Sequence, residues 1–212
     1  MEAPLSYFPP IPVFASILKQ EKPVFYPGEI FPRQTLRNRC YISGPGGLQK
    51  LIIPLKGRKS ASRYGDLFPE PGNFWRKIHF KSLEAAYRKS PFFEYYEAEI
   101  QELIFDESKS LFELNLSIHK WLFSIFSAKE TKTAHWEINT EESHPKGFFF
   151  EKKWMDGYPQ LPEYLQTFGT GRIQPETSML DLLFNQGPEG RHYLDEIFDL
   201  IPERKRPEQG SD

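Results

Sequence analysis

His79 and Cys40 are the side chains of this 212-residue chain whose types and settings suit proton transfer or nucleophilic attack. Trp75, Ile78, His79, Ser82, Leu83 and Ala86 recur at helical spacing, with Lys77, Lys81, Glu84 and Arg88 on the opposite side. An imidazole on that stripe points inward or into an adjacent cleft, where burial keeps it neutral and able to accept a proton. The same position equally suits a core histidine bonded to a backbone carbonyl. Cys40 lies in an extended run beside Arg37 and Arg39, cations that favour a thiolate, and with His79 it would suit acyl transfer through a thioester. A strand cysteine is otherwise a small buried hydrophobe.

In an extended chain Arg37 and Arg39 share one face, and two guanidiniums there can clamp a diphosphate or a carboxylate. A salt-bridge role for them is as open. Asp181 and Asn185, one helical turn apart, can face a common cleft or brace the last helix. No metal site is expected. His135 and His144 are isolated, the acids Glu141 and Glu142 read as a surface loop, and one cysteine cannot supply a thiolate cluster or a disulfide. Phosphate-loop, dinucleotide-binding, HExxH and GxSxG motifs are absent. Residues 44–47 have the glycines of a phosphate loop, but no helix follows them, so they read as a hairpin turn.

These residues need elements to hold them. Residues 9–19 read as a proline-initiated helix, 24–26 as extended, and 39–42 with 48–55 as a hairpin. Residues 56–71 read as a long mobile loop. Asn73 is the expected N-cap of the His79 helix, and Ser90-Pro91 opens a second helix bearing Phe93, Tyr96, Ile100, Leu103 and Ile104. A third, central helix covers 110–127, and the three form one layer. The C-terminal third reads as irregular: a strand at 133–138, possible extension at 148–150, a helix over 177–185 ended by Gly187-Pro188, and a last helix over 192–200. The resulting expectation is an α+β fold: a compact single domain over 1–203, with a small β-sheet including the hairpin packed on the three helices, and a disordered tail over 204–212.

Composition narrows the classes. With 39% hydrophobic, 26% charged and 16% aromatic residues and 19 prolines, the chain is globular, with a ring-rich core. Its apolar runs fall far short of the roughly 18 residues of a membrane span. The acidic, proline-rich opening does not read as an export signal, and the lone cysteine fits a reducing cytoplasm. The net charge of -2 divides into +9 over residues 1–90 and -11 over the rest. The basic part can collect phosphates or an acidic carrier protein, or simply attract the acidic part. A pI near 6.2 is not that of a nucleic-acid binder.

Several blocks of the chain resemble the WbqC-like proteins: Tyr7-Phe8-Pro9-Pro10-Ile11-Pro12-Val13-Phe14, the run from Gln34 through Ile42 to Gly47, Leu51-Ile52-Ile53-Pro54, Trp75-Arg76-Lys77-Ile78-His79, Ala86 through Tyr96, Tyr164-Leu165-Gln166-Thr167-Phe168, and Ser178 through Pro188. The resemblance implies a bacterial protein of O-antigen or other surface polysaccharide synthesis. It implies, without a cofactor, transfer of an acyl or aminoacyl group from a thioester to a nucleotide-linked amino sugar. In that scheme His79 deprotonates the amine, Arg37, Asn38 and Arg39 hold a nucleotide diphosphate or carrier phosphate, and Tyr87 and Glu94 line the site; Trp75, Lys77, Asp181 and Asn185 are further candidates for substrate contact. Where this sequence has Cys40 some branches carry an aliphatic residue, which favours direct attack by the amine. The alternative is a non-catalytic binding or scaffold protein of the same machinery.

Overall fold

Why an eight-residue helix at the start of the chain survives is a question of packing, since so short a helix has little stability of its own. The computed structural model describes residues 5–20, 23–32, 35–59, 61–127, 136–140, 160–168 and 173–201. Helix α1 (Ile11–Leu18), with proline in its first turn, buries Ile11 through Ile17 on every side. It lies against α5 (Met179–Gln186) and α6 (Gly190–Leu200), so the two ends of the fold share one core, which runs from Leu5 to Ile201.

The strands form two small sheets. Strand β1 (Val24–Phe25) pairs in parallel with β4 (Glu137–Ile138). Strands β2 (Arg39–Gly44) and β3 (Gly47–Ile52) form an antiparallel hairpin whose Gly44–Gly47 closing pair leaves Pro45 and Gly46 as a two-residue turn. The glycine cluster is therefore a hairpin turn, with Gly47 at φ +98°. Of the expected strand at 133–138, positions 133–135, like 148–150 and 204–212, lie outside the described residues.

Helices α2 (Phe74–Tyr87), α3 (Phe93–Phe105) and α4 (Leu111–Phe126) stand side by side with α3 between the others, the layer anticipated from their periodicity. Ser110 and Glu113 close a reciprocal capping box at the start of α4. The other two starts differ from expectation. Asn73 makes no side-chain cap, and Ser90 Oγ donates back to Tyr87 O, closing the end of α2 rather than opening α3. Buried Arg76 joins the layer by donating from Nε to Ile104 O at 3.0 Å, satisfying a carbonyl of the last turn of α3.

The loop over 56–71 is tied down rather than free over its described part. Leu55 bridges to Pro69, Glu70 N–H donates to Pro54 O, Leu111 N–H donates to Leu67 O, and Tyr64 and Leu67 enter the core. Its three buried side chains, Tyr64, Leu67 and Pro69, outweigh its polar composition. Most central of all is α5, which touches α1, α3, α6 and β2 and buries Met179 through Asn185.

Candidate functional site

Because α5 is buried all round, the polar side chains it carries must be satisfied by other elements. Ser178 caps it, accepting from Leu180 N–H, and places Asp181 in its first turn, where a carboxylate is favoured by the helix dipole. Asp181 is fully buried. Tyr87, at the end of α2, donates to its Oδ2 at 2.8 Å, while Tyr164 Oη and Gln166 Nε2 each reach Oδ1 at 2.6 Å. Tyr87 Oη also accepts from Ser43 N–H at 3.0 Å, and Gln166 Nε2 lies 3.3 Å from Ser43 Oγ. Asn185 completes the cluster: Nδ2 donates to Asp181 O at 2.8 Å, and Oδ1 accepts from Thr167 N and Oγ1.

Burial first, and then the Asp181 charge, push the Tyr87 and Tyr164 hydroxyls well above the usual tyrosine range. Both therefore keep their protons and donate. Among the described residues no lysine or arginine pairs with Asp181, so its carboxylate is held by neutral donors alone. Tyr164 and Gln166 are half-buried, as are Ser43 and Thr167, and along these side chains the cluster meets the surface.

Of the residues singled out from the sequence, the structure brings together Tyr87, Asp181 and Asn185. The others stand elsewhere. His79 is a core histidine: Nε2 donates to Ile52 O at 3.2 Å, Nδ1 accepts from Tyr7 Oη at 3.0 Å, and the edge of the ring meets Trp75. Burial lowers its pKa to about 4, and with both nitrogens engaged it offers no free lone pair to a substrate. Cys40 corrects a second expectation. It is buried, and desolvation pushes its thiol up, opposite to the effect expected from the neighbouring arginines.

The clamp of Arg37 and Arg39 does not form, because Leu36–Asn38 is a 3-10 turn and breaks the extended alternation. Arg37 turns inward to pair with Glu29 and lies over the Tyr64 ring at 4.9 Å, whereas Arg39 starts β2 half-buried. Asn38 is buried and donates to Ile53 O at 3.0 Å. Trp75 is buried, with Nε1 on Glu70 O, and Lys77 and Glu94 face solvent.

Around Arg37 lies a second polar group built into the core. Asn115 Nδ2 donates to Arg37 O at 2.6 Å and reaches Tyr64 Oη, and one turn along α4 the His119 Nε2 sits 3.1 Å from Ser6 N and 2.9 Å from Ser6 O. Burial lowers the His119 pKa to about 4. This group fastens residues 5–7 to α4.

Ser43, Tyr164, Gln166 and Thr167 were given no role from their residue types. Three of them lie in an aperiodic segment, and only their place in a family block marked them. Gly187 is a position that does follow from local rules. It ends α5 at φ +59°, and a Cβ there would sit 2.6 Å from the Phe92 ring. Gly187→Ala is expected to lower stability by about 2 kcal/mol. Adding Phe92→Ala should remove the additional collision term but leave the backbone term, as read from urea midpoints in a double-mutant cycle.

The model of the WbqC-like protein family matches residues 6–156. No curated protein and no solved structure matches the chain.

Proposed function

Since the chain belongs to the WbqC-like protein family, we propose that it transfers an acyl or aminoacyl group from a thioester to a nucleotide-linked amino sugar of bacterial surface polysaccharide, with Asp181 as the group that receives the amine. The observation that carries this reading is a fully buried carboxylate surrounded by neutral donors. A buried anion with no cation partner among the described residues is costly, and the ammonium of an amino sugar supplies a countercharge. Gln166 donates to Oδ1 from a half-buried position, so it is the donor such an ammonium displaces.

Asp181 takes one proton from the ammonium. The freed nitrogen lone pair attacks the thioester carbonyl, the C–N bond forms, and the C–S bond breaks. The thiolate leaves with the electron pair, and the amine's second proton goes to solvent or to that thiolate. Tyr87 and Tyr164, which keep their protons, hold the carboxylate in place.

The test is mass-spectrometric detection of the amide from a panel of acyl thioesters and amino-sugar nucleotides. Asp181→Asn is expected to lower turnover about 10²- to 10⁴-fold, and unchanged turnover in a folded variant would sink the assignment. Should that variant lose its fold, Gln166→Leu removes the competing donor and keeps the carboxylate. A lower KM for the amine is then expected, and an unchanged KM counts against the site. That both Asp181 oxygens already accept hydrogen bonds within the fold favours one other reading, a non-catalytic binding or scaffold protein of the same machinery. That reading is what remains if amino-sugar nucleotides raise the melting temperature and no thioester gives product.

A further inference from the structure

Helix α2 has two faces, and among the described residues one packs into the core while the other is largely exposed. Trp75, Arg76, His79, Leu83, Ala86 and Tyr87 go inward. Phe74, Lys77, Ile78, Lys81 and Ser82 recur at three- and four-residue steps on the other side, with Phe74 82% and Ile78 45% exposed. Strand β3 lies alongside: Gln49 Nε2 donates to Ser82 Oγ at 3.0 Å, and Ile52 O accepts from His79. Ile52 and Lys50 point to the strand face opposite Gln49 and are exposed there. Glu84, the acidic residue of α2, is paired with Arg88, and exposed Glu70 precedes the helix. The result is an exposed apolar pair one turn apart, Phe74 and Ile78, flanked by Lys77 and Lys81, on a helix whose core contacts are already made.

A second copy of the chain is a poor occupant, since a twofold contact through this face would set lysines against lysines. An acidic surface with an apolar contact of its own complements it. The direction of α2 adds a further argument, because the helix runs about 20 Å from Phe74 to Tyr87, from this face to the Asp181 cluster. The geometry points to the outer face of α2 as the docking surface for an acidic carrier protein that presents the acyl thioester. This rests on the transferase reading above.

The experiment uses the intact chain and, as probe, a purified acidic acyl carrier protein charged with an acetyl or aminoacyl thioester. Binding is read by biolayer interferometry at low and high salt, and turnover is read in parallel with a small soluble thioester. The expected result is association that weakens with salt, falls about tenfold or more in Ile78→Asp and in Lys81→Glu, and is unchanged in Glu102→Gln on α3. Turnover with the small thioester should survive the first two variants. Carrier binding indifferent to both variants overturns the docking surface and leaves the transferase reading standing. A concentration-dependent dimer abolished by Ile78→Asp overturns it in favour of a second copy. Absence of amide from any donor overturns the transferase reading, while the carrier-binding measurement still decides the surface.

Discussion

Between about pH 6.5 and pH 4 the protein is expected to lose about 3 kcal/mol of stability through each of His79 and His119. Both rings are buried and neutral, and burial brings each pKa down to about 4 from an ordinary value near 6.5. The unfolded chain therefore takes up protons as the pH drops through about 6.5, while the folded chain resists until about 4. The stabilisation is complete above the unfolded value and is lost progressively toward the folded one. Together the two rings account for a large share of the 5–15 kcal/mol typical of a domain. Urea unfolding over this range should give a slope near 1.4 kcal/mol per pH unit for each histidine. His79→Gln and His119→Gln should each remove one such contribution, and slopes identical to the parent protein would refute the assignment.

Arg37→Ala is the substitution expected to cost most through electrostatics, about 3 kcal/mol or more. The guanidinium is buried, pairs with Glu29 and covers Tyr64. Its loss takes away a cation paired with a mostly buried carboxylate and the planar group against the ring. Replacing both partners, in Arg37→Met/Glu29→Leu, should recover part of the loss, because neither member of the pair is then left buried without the other. Arg37→Lys should not restore the parent midpoint, since an ammonium cannot reproduce the planar fork. Guanidinium chloride midpoints read all three. A loss below 1 kcal/mol in Arg37→Ala would mean that Arg37 is not the internal tie described here.

The helices were legible because long amphipathic stripes such as Leu111, Leu114, Ile118 and Leu122 have a single periodic solution. The hairpin was legible from its glycines. What periodicity could not show was which polar residues turn inward. His79 lay on the apolar stripe, and both its readings suited that stripe; only Ile52 O and Tyr7 Oη decide between them. Arg37 and Arg39 looked alike until a three-residue turn set one inside and left the other at the start of a strand. The Asp181 cluster joins residues from β2, α2, α5 and an aperiodic segment. Such a meeting is set by tertiary packing, and only its helical pair, Asp181 and Asn185, was visible in sequence spacing.

The packing of α1 against α5 and α6 also has a consequence for how the protein is born. α1 leaves the ribosome well before α5 and α6, the helices that pack on it, which are about 170 residues behind. At synthesis rates of roughly 5–20 residues per second, α1 waits about 10–30 s for these partners. Vectorial synthesis therefore cannot complete this core piece by piece, and α1 stays without these partners until α5 and α6 emerge.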